Sequence, residues 1–213
     1  MDIFWLGHSC FRLRGREATI VTDPYDRSLG YPPLRLSADI VTVSQAHPHH
    51  DHVAAVGGNP KVVAGPGEYE IAGVMITGVD TRREKRKPGP ARNTAYVIEV
   101  DDVTICHLGD LAHLLATEQI EALKDADVLL IPVGGQDTIG ASEAVEVVAQ
   151  LEPRLVVPMH YQTEAVKGLG LDPVDRFCRE MGATNVAPQP KLSVARTTLP
   201  EETQVVLLDY RRA

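Results

Sequence analysis

The first hundred residues are built from short apolar runs, each about the length of a strand and separated from the next by Gly, Pro or Asp, and this most limits what the chain can fold into. "DIFWL", "SCFRLR", "ATIVTD", "DIVTVS", "KVVA", "EYEI" and "VMITGV" come in succession, followed by "NTAYVIEV" and "VTICHL" on either side of Asp101-Asp102. Their length and their β-branched and aromatic content predict strands, with the Asp pair as a hairpin turn.

From residue 117 the pattern changes to helices alternating with strands. Ala141, Ala144, Val145, Val148 and Leu151 recur at helical spacing, and Pro153 follows as a stop. Val174, Phe177, Cys178 and Met181 repeat that spacing, with Asp172 expected as N-cap, Pro173 in the first turn and Gly182 just past the end. "DVLLIPV", "RLVVPMH" and "TQVVLLD" are apolar on both faces and read as central strands. Strands first, then strand and helix in alternation, predict an α/β (α+β) chain in which two stacked sheets carry helices outside. The length of 213 residues suits one domain over 1–213.

Charge narrows the partners. With 21 basic and 29 acidic residues the net charge is −8, which argues against nucleic acid or an anionic membrane and for a small-molecule substrate. Cys10, Cys106 and Cys178 are odd in number and far apart, so free thiols are expected. There is no basic leader with a long apolar stretch, and no run of 18 apolar residues; the expectation is a cytoplasmic protein. The basic stretch 81–93 reads as an exposed loop.

Ligand-type side chains stand where apolar strands stop. His47, His49, His50 and His52 with Asp51 follow "DIVTVS", Asp110 follows "VTICHLG", and His160 follows "RLVVPM". Loops beyond strand ends converge on one side of such folds, so these three places can meet. Imidazole and carboxylate donors together suit zinc, manganese or iron. Asp23 in "TDP", His8 in "GHS" and Tyr161 beside His160 are candidates to support the site or contact substrate.

"WLGHSCF", "TDP", the His cluster, "HLGDL" and "PMHY", in this order, resemble the metallo-β-lactamase superfamily, in the branch containing ascorbate 6-phosphate lactonase and metal-dependent hydrolases of undefined substrate. The resemblance covers almost the whole chain. It implies a four-layer αββα sandwich of two mixed sheets with a metal site along one edge, and it allows a homo-oligomer.

The family's H-x-H-x-D-H motif can be placed in two ways. Starting directly after Ser44, it puts Gln45, His47, His49 and His50 at the ligand positions; Gln45 is a poor ligand, and the usual His after a "TGV" strand is missing. His49, His50, Asp110 and His160 then form a single-metal site, with His47 left from the first. The literal match in "HPHHDH" instead gives His47 and His49 to one ion and Asp51, His52, Asp110 and His160 to another. One or two divalent ions are therefore implied, zinc first, with manganese or iron as alternatives.

The implied activity is metal-dependent hydrolysis of a small, anionic ester, lactone or phosphoester, with Asp110 and His50 as catalytic residues. A metal ion lowers the pKa of water from 15.7 toward about 7 and polarises the scissile group. Two rivals are a non-catalytic, ligand-binding relative with a degenerate first site, and an iron oxidoreductase. Arg82 or Arg83, near the missing ligand, is a candidate to hold an anionic substrate oxygen by bidentate hydrogen bonds. Arg83→Ala should then weaken affinity for an anionic substrate, and an unchanged KM would remove that assignment.

Overall fold

Burial alternates along the first strand, β1 (Asp2–Gly7), with Ile3, Trp5 and Gly7 buried and their neighbours partly exposed, as a half-covered strand requires. The computed structural model describes residues 1–81 and 92–212. After β1 come β2 (Cys10–Arg14), β3 (Thr19–Thr22), β4 (Leu36–Ser37), β5 (Ile40–Val43), β6 (Val56–Gly57) and β7 (Lys61–Ala64). The next group is β8 (Gly67–Ile71), β9 (Val74–Asp80), β10 (Thr94–Val100) and β11 (Val103–His107). Then α1 (Thr117–Leu123), β12 (Val128–Pro132), α2 (Ala141–Leu151), β13 (Leu155–Met159) and α3 (Val174–Glu180) alternate, before the short β14 (Leu192–Ser193) and β15 (Gln204–Val205).

Two mixed sheets result. One runs β14-β1-β2-β3-β5-β7 and the other β15-β13-β12-β11-β10-β9-β8, while β4 and β6 form a separate short pair. Between the sheets lie Ile3, Trp5, Phe11, Leu13 and Ile20 from the first and Ile76, Tyr96, Ile98 and Ile105 from the second. α1 touches β9, and α2 touches β12 and both other helices. The far face of the first sheet, with Cys10, Val21, Val41 and Val43, forms a second cluster under Tyr25, Leu29, Tyr31, Val166 and Leu171. Short 3-10 turns at Arg27–Leu29 and Glu164–Leu169 contribute to that cover. Cys10, Cys106 and Cys178 are buried and unpaired, and among the described residues no helix is long and apolar enough to cross a membrane.

The Asp101-Asp102 turn forms as expected, both residues having positive φ (54° and 61°) between Val100 and Val103. α2 has the predicted span, although Val147 rather than Val145 completes its buried stripe. Two expectations are corrected. The N-cap of α3 is Pro173, extended at φ −70° and ψ 150°, while the Asp172 carboxylate accepts from Arg176 in the helix instead. "TQVVLLD" pairs with β13 only at Gln204–Val205, because Leu207 O and Asp209 N bond to Gln189 and draw the chain off the sheet.

One phenol ties the sheets together. Tyr96 on β10 is fully buried; its hydroxyl donates to Val43 O (2.8 Å) and accepts from Gly65 N (2.9 Å), reaching the ends of β5 and β7. Tyr96→Phe leaves buried backbone groups without their partner, so it should lower unfolding stability by about 1–3 kcal/mol in urea titration. A change within error would show that these groups find other partners.

Candidate metal centre

Strand direction gathers the polar residues. β1, β3, β5 and β7 are mutually parallel, as are β11, β12, β13 and β15, so each set delivers its C-terminal ends to one edge. His8 directly follows β1, Asp23 follows β3, Ser44 to His50 follow β5, Asp110 lies just beyond β11, and His160 directly follows β13. His8, His47, His49, His50, Asp110 and His160 line one cavity of about 220 Å³ with Gln45, Gln136 and Asp137. Three of the residues at these ends leave ordinary backbone space: His8 (φ 52°), Asp23 (φ 41°) and His160 (φ 52°) are left-handed. Such conformations in residues other than glycine gather at functional sites, where the surrounding fold enforces them.

Asp23 is fully buried and satisfied on both oxygens. Oδ1 accepts from Ser44 N (2.7 Å), and Oδ2 accepts from Ser44 Oγ (2.6 Å) and from His50 Nδ1 (2.8 Å). Burial alone would raise its pKa, but the bond from His50, the positive potential of His50 and His107, and the Ser44 hydroxyl outweigh this and hold it below the usual range. The ionised carboxylate can only accept, so His50 keeps a proton on Nδ1, and Nε2 is the nitrogen left to bind a metal once its own proton is displaced.

Three imidazoles come closest together. One ring nitrogen each from His8, His50 and His160, all buried, lies within 4.8 Å of the other two. The rings of His8 and His160 are 3.8 Å apart between centroids. Burial, reinforced by the neighbouring His160 and His50, holds His8 well below its ordinary pKa. Burial likewise pushes His160 down to about 4, against the pull of Asp110. Both are therefore neutral near pH 7, the form a metal ligand needs. His50 is raised instead: burial opposes its charge, but the hydrogen bond and charge of Asp23 prevail.

Asp110 enters from the opposite sheet. Its N–H donates to Asn93 Oδ1 (2.9 Å), and Asn93 Nδ2 donates to Leu108 O (2.9 Å) and to Thr81 Oγ1 (2.8 Å). Gly109 makes the turn at φ 59°, where a Cβ would lie 2.4 Å from Ser44 Cβ. Gln45 Nε2 donates to Asp110 Oδ2 at 2.6 Å. Asp110 Oδ1 is buried without a hydrogen-bond partner, 3.4 Å from His160 Nε2, and His8 Nδ1 and His160 Nδ1 also lack partners. Buried polar atoms in this state call for an ion or water, and imidazole nitrogens around a carboxylate oxygen fit a divalent metal.

The structure thus brings together His8, His47, His49, His50, Asp110 and His160, with Asp23 behind His50. It does not bring in Asp51 and His52, both exposed and absent from the cavity wall; Asp51 lines a neighbouring cleft. The loop geometry is the reason: His50 N and Asp51 N both bond to His47 O, which turns His50 inward, and His52 N is held by Pro24 O. Tyr161 is corrected as a substrate contact, since it is buried against Trp5 with ring centroids 4.9 Å apart. Arg83 lies outside the described residues. Sequence reasoning missed Gln136 and Asp137, although they follow β12, a strand between two others that supply site residues. His107, which flanks Asp110 in sequence, is fully buried and bonds Ser9 O through Nε2 at 2.9 Å, a structural role.

Two stacked mixed sheets with an imidazole and carboxylate cluster where their parallel strands end define the metallo-β-lactamase fold. Residues 2–160 match the Beta-lactamase superfamily domain. A UPF0173 metal-dependent hydrolase of Methanoculleus marisnigri is 35% identical, with 76% of this chain and 82% of the relative aligned. A Pyrococcus horikoshii protein of the same description is 30% identical over 76% of this chain and 85% of its own. Among crystal structures, a candidate Zn-dependent hydrolase of the metallo-β-lactamase superfamily from Thermotoga maritima superposes with a TM-score of 0.81 at 38% identity, covering 97% of each chain. The chain belongs to the metallo-β-lactamase superfamily and, within it, to the UPF0173 metal-dependent hydrolases.

Asp23→Asn keeps the shape and suits the left-handed backbone, but its amide can present a donor to His50 Nδ1 and drive the proton onto Nε2. Metal affinity should fall about 10–100-fold in chelator competition. An affinity equal to wild type would show that Asp23 does not orient His50.

Proposed function

We propose that the protein hydrolyses a small, anionic ester, lactone or phosphoester at a divalent metal held by His50, His160 and Asp110. The observation that carries this reading is the unpartnered, buried Asp110 Oδ1 facing His160 Nε2 at 3.4 Å, an arrangement a metal ion completes and ordinary packing avoids. Zinc is the first choice, supported by the Zn-dependent description of the Thermotoga maritima relative. Such an ion supplies Lewis acidity to a carbonyl or phosphoryl group and a nucleophile from water at neutral pH.

The chain's own residues do the rest. Asp23 fixes the tautomer and aim of His50, and Gln45 and Asn93 fix Asp110. His47 and His49 are only half-buried on the cavity wall, where an imidazole can receive or return a proton as the leaving group departs. A cleft of about 430 Å³ continues from Gln45 between Val62 and Pro66 to Arg92, room for the organic part of a small ester. Arg92 shares it with Asp51 and Asp80, so among the described residues of the cleft an anionic group has Arg92 as its cationic partner. β-Lactam cleavage does not follow from the fold, since fold does not set substrate.

The test is turnover of a panel of anionic esters, lactones and phosphoesters by protein loaded with zinc, manganese or iron. Activity should vanish on chelation, return on re-addition of metal, and fall roughly 1,000-fold in Asp110→Asn, a loss of several kcal/mol. Turnover that survives chelation, or no turnover across the panel, would overturn the reading.

A further inference from the structure

The family motif supplies ligands from the loop after β5, yet the tightest cluster contains His8, from the turn between β1 and β2, which lies outside that motif. Two contacts fix it there. Trp5 Nε1 donates to His8 O (2.9 Å), and the backbone N of His160 donates to the same oxygen (3.2 Å). The turn that bears His8 is thereby bonded to the strand end that bears His160, and His8 Nδ1 remains buried with no partner. Ligands about 2.0–2.1 Å from a tetrahedral ion stand about 3.4 Å apart, so nitrogens already within 4.8 Å need only a small contraction.

The opposite is true on the side where a second ion would sit. Asp110 Oδ2, the oxygen free to reach another metal, is taken by the Gln45 amide at 2.6 Å. His47 lines the cavity but stands outside the tight cluster of three, and its Nδ1 is engaged by His49 N, from which it accepts at 3.2 Å. Only one oxygen of the carboxylate is left for coordination.

We infer that the protein binds a single metal ion through His8, His50, His160 and Asp110 Oδ1, and that the Gln45 amide holds Asp110 where a second ion would otherwise do so. The inference rests on the metal-dependent reading above and specifies its site. Gln45 is a positioning residue here, and His8 a ligand. Four protein ligands leave room for substrate on an ion that exceeds four-coordination, as zinc does in transition states and as octahedral manganese does at rest.

The experiment is metal counting by elemental mass spectrometry, with chelator competition on wild type, His8→Asn and His47→Ala. Asn suits the left-handed backbone at position 8. One ion per chain is expected, with affinity reduced about tenfold or more in His8→Asn and unchanged in His47→Ala. Long-range ¹H–¹⁵N spectra of the wild-type protein titrated with zinc give the same answer without a variant: ring nitrogens of His8, His50 and His160 should shift and those of His47 should not. Two ions per chain, an unshifted His8, or a loss in His47→Ala equal to that in His8→Asn would overturn the inference while leaving a metal-dependent hydrolase. No bound ion after reconstitution with zinc, manganese or iron would overturn both.

Discussion

The site depends on one buried charge. A carboxylate withdrawn from water costs several kcal/mol unless donors surround it, and Asp23 meets that condition with the Ser44 amide, the Ser44 hydroxyl and the His50 ring. Those donors lie at the end of β5 and in the loop beyond it, while Asp23 itself ends β3. The need to satisfy one anion therefore sets how two parallel strands finish, where the histidine loop begins and which nitrogen of His50 faces the cavity. The same contacts stabilise the fold and prepare the ligand.

Across the cavity Asp110, from the second sheet, is held by neutral amides drawn from both sheets. Asn93 holds the backbone of Asp110, and Gln45 holds one of its oxygens. Asn93 also bonds to Thr81, so the two residues at the ends of the basic stretch are joined to each other and to the backbone of Asp110. The two carboxylates of the site are thus held by different chemistry, Asp23 by Ser44 and the His50 ring and Asp110 by amides from both sheets.

Much of this was legible beforehand because it rests on local physics. Strands over Asp2–Gly7 or Thr94–Val100 show in alternation and β-branching, and the strand-end argument led to His47, His49, His50, Asp110 and His160. The rest depends on contacts between distant parts of the chain. His8 stood as a supporting residue, because its closeness to His160 follows from the pairing of a turn near the N-terminus with the end of β13. Gln45 read as a lost ligand; its use as a donor to Asp110 needs both sheets in place. Tyr161 stood beside His160 as a possible substrate contact against the alternative of a packed ring, and its burial against Trp5 depends on the pairing of the N-terminal strand with the rest of the fold. The choice between Gln45 and His47 as the start of the motif was left open by the sequence, and the hydrogen bonds to His47 O are what turn His50 inward.

The left-handed backbone at His8, Asp23 and His160 has an evolutionary consequence. Each such residue costs about 1–3 kcal/mol relative to a relaxed conformation, and glycine at the same positions would remove most of that cost. Selection for thermal endurance alone would therefore favour replacement of His8 and His160. Histidine at positions 8 and 160 in a stable descendant would be a record of sustained demand for the chemistry, whereas Asp23 is also kept by folding, since its carboxylate satisfies Ser44 and His50.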